Sequence, residues 1–296
     1  MKTTIINSKK TIKGHQRAWI EAGQGAAVLL LHGFPDVPQG FLPQIEALAA
    51  AGFRAIAPYS RGNAPSFVPD DDDHSPLALA TDVVDFLDGL GIEKAAAVIG
   101  HDWGAVTGYA FASLAPHRLD RLITLSVPHA RFSKPTLTWG SLVLAMQTPR
   151  ITARLSAIKD GVLVDQMFRR VSPHWAFSAA DTADAKRILT DSETLQNVTG
   201  VYRALRKWPI KRDESFKLLM KRISVPTLTL AGKDDTAMPI TDFRKMAGAF
   251  QASFELIELE NVGHFPHREV PAQVNAALLS YLGATKASSP SRKPKP

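Results

Sequence analysis

The chain of 296 residues has no cysteine, which excludes a disulfide framework, a thiolate nucleophile and any Cys-ligated metal. Tyrosine is also scarce, with four in all, so each can be weighed individually. No apolar run approaches ~18 residues, which excludes a transmembrane helix. The basic segment Met1–Lys13 lacks the apolar core and small-residue cleavage site of a secretory signal. Hydrophobic content of 45% and charged content of 21% are ordinary globular values, which excludes general disorder and fibrous repeats. These absences imply a soluble, cytoplasmic protein. Its length fits two domains of ~150 residues, or one large α/β domain carrying an insertion.

The net charge of +7 is concentrated in particular segments. Residues 1–17 carry five Lys/Arg and no acid, and residues 284–296 carry four and none. Disordered basic ends therefore account for the high pI without a nucleic-acid groove, and no DNA- or RNA-binding motif is present. Residues 129–223 hold 17 basic and 8 acidic side chains, a basic middle that interrupts an acidic framework. The tail 284–296, rich in Ser, Pro and Lys, reads as a disordered basic extension.

Short apolar runs followed by helical patterns recur along the chain. Strands are expected at Ala26–Leu31, Phe53–Ala57, Ala95–Ile99 and Leu119–Ser126. Helices are expected at Gln39–Ala51, Leu77–Leu90 and Trp103–Leu114. Continuous apolar strands alternating with helices imply a mostly parallel sheet covered on both faces. The alternation fails between His129 and Arg222, a stretch of helical segments punctuated by Pro and Trp. It resumes with strands Val225–Ala231 and Phe254–Leu259 and helices Ile240–Phe250 and Val270–Leu282. The reading is an α/β, doubly wound core in two parts, 1–128 and 216–283, with an inserted helical cap at 129–215. Loops at the carboxyl ends of parallel strands carry the chemistry in such sheets.

Gly100-His101-Asp102-Trp103-Gly104 lies between an expected strand and helix. It has the form of the tight strand–turn–helix bend that presents a nucleophile, with Asp where Ser is usual. The ordinary alternative is a helix N-cap at Asp102. Against it stand glycines at both required offsets and a downstream acid and histidine in that order. The acid comes from Gly232-Lys233-Asp234-Asp235. Spacing from Gly232 and Pro239 favours Asp235, with Asp234 as a solvated neighbour. The base is His264, just past the last strand, and His267 is expected to face solvent. The acidic run Asp70–Asp73 beside His74 has no second element at ligand spacing, and it reads as an exposed loop. No metal and no organic cofactor is implied.

Together with His32-Gly33-Phe34-Pro35, these motifs resemble the α/β-hydrolase fold, in its group of epoxide hydrolases and haloalkane dehalogenases. The resemblance spans roughly residues 18–283 and is weakest in the cap. It implies an oxyanion hole made of the backbone N–H groups of Phe34 and Trp103. It also implies a covalent mechanism. A carboxylate attacking a saturated carbon expels an alkoxide or halide and leaves an alkyl ester. His264 then activates water against that ester while Asp235 orients the ring.

The leaving group separates the two activities. An epoxide oxygen leaves as a basic alkoxide and needs an acidic hydroxyl. Tyr202, in Val201-Tyr202-Arg203, matches the Tyr-Arg element that supplies a ring-opening tyrosine in epoxide hydrolases. Tyr59, Tyr109 and Tyr281 fall on core elements, where packing is the default. The resemblance also has a gap. A first lid tyrosine is usual, and Leu142 occupies its expected place. Haloalkane dehalogenases commonly carry Asn where this chain has Phe34, and their second halide-binding Trp could only be Trp139, Trp175 or Trp208. Fluoroacetate dehalogenases carry Arg at the position of Trp103. The expectation is an epoxide hydrolase acting on a small molecule, with no nucleic-acid or membrane partner; a homo-oligomer stays open. The alternatives are a haloalkane dehalogenase and a catalytically silent ligand-binding fold. The basic middle segment would suit an anionic substrate, but a solvated helical surface is the ordinary account of it and the preferred one.

Overall fold

The computed structural model describes residues 3–133, 137–148, 162–207 and 213–283. Its centre is an eight-stranded sheet in the order β1-β2-β4-β3-β5-β6-β7-β8. The strands are β1 Ile6–Ile12, β2 His15–Ala22, β3 Ala27–Leu31, β4 Arg54–Pro58, β5 Ala97–His101, β6 Leu122–Leu125, β7 Thr227–Gly232 and β8 Phe254–Leu259. β1, β2 and β4 pair antiparallel, and every pairing from β4 through β8 is parallel.

Side chains alternate along these strands, so each one feeds two cores. Leu29 and Leu31 of β3 belong to a cluster with Val83, Phe86, Tyr109 and Phe111. That cluster joins the sheet to α2 (Pro76–Gly89) and α3 (Trp103–Leu114). Val28 and Leu30 face the other way, toward Phe41, Ile45, Leu48, Val274 and Leu278. These belong to the segment around α1 (Leu42–Ala50) and to the last helix, Pro271–Tyr281. All of β3, β5, β6 and β7 is buried, as expected for parallel strands covered on both faces.

Two expectations fail here. The expected disordered basic end at residues 1–17 is ordered where the structure describes it: Ile6 onward forms β1 and the start of β2. Lys13 (φ 49°) and Gly14 (φ 84°) make the two-residue turn between them. With φ positive at both positions, this is the turn whose twist suits a hairpin. As an outer strand β1 is mostly exposed, and lysines there protect a sheet edge; the same lysines look like a solvated tail in sequence. The helix expected over Ile240–Phe250 splits into Ile240–Phe243 and a 3-10 turn at Met246–Ala249. Its far end is drawn into extended pairing, with Ile223 N–H donating to Ala249 O at 2.8 Å and Gln251 N–H to Ile223 O at 2.8 Å.

Between β6 and β7 the described residues hold six α-helices and no strand: Leu137–Met146, Val162–Val171, Ala179–Thr190, Ser192–Val198, Gly200–Ala204 and Glu214–Leu219. A third cluster, including Phe34, Trp103, Met146, Ile188, Val198 and Tyr202, joins several of them to the loops after β3 and β5. Trp175 packs on Phe168 and Phe265 at ring separations of 5.6 and 5.8 Å. The expectations for the side chains of Trp139 and Leu142, for Trp208 and for the tail 284–296 lie outside the described residues. No helix among the described residues is long and apolar enough to cross a membrane.

Candidate active site

Phe34, Asp102, Asp235 and His264 follow β3, β5, β7 and β8, so four carboxyl-terminal loops converge on one place. Asp102 sits in the bend between β5 and α3 with φ 51° and ψ −118°, a strained conformation for a residue with a side chain. The bend brings backbone against backbone. A Cβ on Gly104 would lie 1.9 Å from Leu31 O, and one on Gly100 would lie 2.2 Å from Gly104 O. Both positions of the motif therefore exclude every residue but glycine.

Asp102 is buried and held from both sides. The Phe34 N–H donates to its Oδ1 at 2.9 Å. Its Oδ2 lies 3.5 Å from His264 Nε2. On the far side of the imidazole, Nδ1 donates to Asp235 Oδ2 at 2.6 Å. Asp235 is fixed in turn, because its Oδ1 accepts the N–H groups of Ala237 and Met238 at 2.8 and 3.1 Å. Asp234 is half-exposed and pairs with His174 Nε2 at 3.4 Å. The sequence preference for Asp235 thus agrees with which carboxylate reaches His264. Burial alone would lower the His264 pKa. The two carboxylates outweigh it, Asp235 more than Asp102, and push the ring up to about 10. At neutral pH it is an imidazolium between two carboxylates.

Tyr202 is buried in the helix Gly200–Ala204 and meets both loop residues edge-on, with ring centroids 5.3 Å from Phe34 and 5.3 Å from Trp103. Burial, with the charge of Asp102 adding to it, raises its pKa well above the ordinary value. Tyr202 is therefore a neutral hydroxyl. The other tyrosine oxygens are engaged or remote. Tyr109 Oη bonds with Thr124 Oγ1 at 3.0 Å and donates to Val127 O at 3.1 Å. Tyr59 Oη accepts from Gln39 at 2.5 Å, and Tyr281 lies on the last helix. A cavity of about 60 Å³ opens at Asp102, with Trp103, Val106, Tyr109, Val127, Leu205, Leu219 and Met238 among its walls. Asp102 is the sole acidic or basic side chain among its described lining residues.

Several supporting residues carry no sequence signal. The N–H of His264 is shared between Val171 O at 3.1 Å and Ser172 Oγ at 2.9 Å. Ser172 Oγ donates to Glu269 Oε1 at 2.7 Å, and Glu269 also accepts the N–H groups of Gly263 and Phe265, each at 2.8 Å. Ser172 is 92 residues from His264, so only the fold reveals this clamp.

His267 contradicts the expectation of a solvent-facing side chain. It is buried, packs at a tilt on Phe41 at 4.6 Å and bonds through Nε2 to Asp36 Oδ2 at 3.2 Å. Asp36 also accepts from Arg268 at 3.1 Å. Arg268 and His267 overcome the effect of burial and hold the Asp36 carboxyl below the usual range. Among the described residues, Asp36, His101 and His267 are the group that brings three metal-ligating atoms within 4.8 Å of one another. Arg268 already lies on the carboxylate, and His101 Nε2 donates to His264 O at 2.8 Å. The group is thus a hydrogen-bonded brace behind His264.

A sequence profile of the α/β-hydrolase fold matches residues 26–270. An epoxide hydrolase of Caballeronia sordidicola is 43% identical over 305 aligned positions, covering 88% of this chain and 89% of that protein. Epoxide hydrolase A of Mycobacterium tuberculosis is 28% identical over 299 positions, covering 89% and 92%. Among solved structures, epoxide hydrolase A of Mycobacterium thermoresistibile has a TM-score of 0.73 at 25% identity, covering 95% of this chain and 98% of that one. The chain belongs to the α/β-hydrolase fold family and, within it, to the epoxide hydrolase group. It is a hydrolase.

Proposed function

We propose that this chain opens a small-molecule epoxide to a vicinal diol through an alkyl ester on Asp102. One observation carries the reading: a single imidazole lies between Asp235 at 2.6 Å and Asp102 at 3.5 Å, and a buried tyrosine packs on Phe34 and on Trp103, the residue after Asp102. We assign residues 129–215 to a cap over this site and residues 1–128 and 216–283 to the hydrolase core.

With Oδ1 of Asp102 held by the Phe34 amide, Oδ2, which faces His264 at 3.5 Å, is the oxygen that attacks a ring carbon. A C–O bond forms, the epoxide C–O bond breaks, and its electron pair goes to the leaving oxygen. That oxygen is too basic to leave unaided and takes the proton of Tyr202. Esterification cancels the negative charge beside His264 Nε2, so the imidazolium loses much of what holds its proton. The proton returns to Tyr202 and leaves a neutral ring.

His264 then takes a proton from water, and the resulting hydroxide adds to the ester carbonyl of Asp102. The Phe34 amide already points at the oxygen that becomes the oxyanion. The Trp103 N–H, at the positive end of α3, is the second donor. Collapse of the tetrahedral species expels the diol oxygen, which takes the proton of the new carboxylic acid. Asp102 is again a carboxylate and His264 an imidazolium. The apolar cavity walls support a neutral substrate, and the basic charge of residues 129–223 falls outside the described lining.

The test is to incubate His264→Gln with styrene oxide and measure intact mass. The expected result is a stoichiometric adduct of the substrate's mass, mapped to Asp102. A parent enzyme that turns over the epoxide while the variant accumulates no adduct would contradict the reading.

A further inference from the structure

Tyr202 lies on a helix of five residues, Gly200–Ala204, too short to hold its own geometry. Its attachment to the core is specific. Arg203, the next residue, grips Asp72 with both arms of its guanidinium, Nη2 to Oδ1 at 2.6 Å and Nε to Oδ2 at 3.2 Å. The remaining nitrogen, Nη1, donates to Gln196 O at 2.8 Å and Thr199 Oγ1 at 3.2 Å. One side chain thus ties the preceding turn of the helical segment to the core.

Asp72 is presented by a loop organised for the purpose. It has φ 52°. Asp71 Oδ1 accepts the Asp73 N–H at 3.0 Å, and Asp73 Oδ1 accepts the Ser75 N–H at 2.8 Å. Ser75 in turn caps α2. Next to it His74, unlike the rest of this acidic run, is buried. Its Nδ1 bonds to Asp72 O at 3.2 Å. The ring fills the space at Gly200, where a Cβ would lie 2.2 Å from Nδ1. The run that reads as an exposed loop in sequence is therefore a fitted seat for the helix bearing Tyr202.

We infer that Asp72 is a positioning residue for ring opening, acting through Arg203 to hold the Tyr202 hydroxyl at the leaving oxygen. The inference rests on the reading of Tyr202 as the acid. It carries weight because the Tyr109 and Tyr59 hydroxyls are held by hydrogen bonds and Tyr281 lies on the last helix, so the placement of a single hydroxyl limits the step. Asp72 is exposed, and an exposed ion pair contributes little to global stability. Its removal therefore acts on geometry, not on folding.

The experiment follows formation and decay of the alkyl-enzyme with styrene oxide in single turnovers. It compares the parent, Asp72→Ala, Asp72→Glu, Tyr202→Phe and the Asp72→Ala/Tyr202→Phe double variant, with thermal melts alongside. Loss of a general acid costs about 10²–10⁴-fold. A displaced acid should cost a fraction of that, about tenfold in ester formation, with ester decay within about twofold of the parent. Asp72→Glu should recover most of the loss, and the double variant should match Tyr202→Phe. Equal slowing of both steps by Asp72→Ala, or parental rates in both, would overturn the inference. If Tyr202→Phe is slow while Asp72→Ala is parental, the positioning role alone falls. If Tyr202→Phe forms ester at the parental rate, the assignment of the acid falls first.

Discussion

Replacing Asp102 by Asn imitates, in charge, the neutral ester that forms during turnover, and the result should be legible in the titration of His264. In the parent, Nε2 lies 3.5 Å from Asp102 Oδ2 and the ring titrates near 10. Two unit charges at that distance interact by about 5 kcal/mol at an effective dielectric of ~20. This corresponds to about 3.5 pH units. Asp235 remains in the variant, so the ring should fall from near 10 to about 6.5, not to the value burial alone would set. Ring-labelled histidine allows the titration to be followed by NMR. The nine histidines are sorted by the resonance that disappears in His264→Gln, and intact mass verifies that the amide persists. A His264 titration within about one unit of the parent would refute the argument that esterification converts an ion-pair partner into a base.

Other consequences are open to measurement. His264 gains proton affinity on folding, so its contribution to stability is complete below pH 6.5 and is lost as pH rises through about 10. Urea midpoints should decline across that window in the parent, and that component of the slope should be absent in His264→Gln. Leu30 is fully buried beneath the α1 face; Leu30→Ala should cost about 2–5 kcal/mol by urea denaturation, and a loss under about 1 kcal/mol would contradict the packing described. Gly104→Ala places a methyl 1.9 Å from Leu31 O. Circular dichroism and turnover should show a chain that is misfolded or inactive, and a folded variant of parental rate would disprove the close approach.

The parts of the site that could be read in the sequence are those made by residues near one another in the chain. The bend at Asp102 is such a case, because both glycines and the start of α3 lie within five residues. The core faces were legible for the same reason, since alternation separates Leu29 and Leu31 from Val28 and Leu30 within one strand. The burial of His267 has no local signature: its partner Asp36 is 231 residues away, and no local pattern distinguishes a buried histidine from a surface one. The role of Asp72 was hidden similarly, behind 131 residues separating it from Arg203. β1 was hidden by its position in the sheet, since an outer strand is mostly polar and looks like a solvated end.

The central claim is that Asp102 forms the covalent bond, and one single-turnover experiment in ¹⁸O-enriched water addresses it directly. With enzyme in excess over styrene oxide, ester hydrolysis places solvent oxygen in the Asp102 carboxylate, and the diol inherits an unlabelled oxygen from the protein. The account predicts a 2 Da gain confined to the peptide bearing Asp102. An unlabelled Asp102, with the heavy oxygen instead in the diol, would mean that water attacks the epoxide directly, and the covalent mechanism would be wrong.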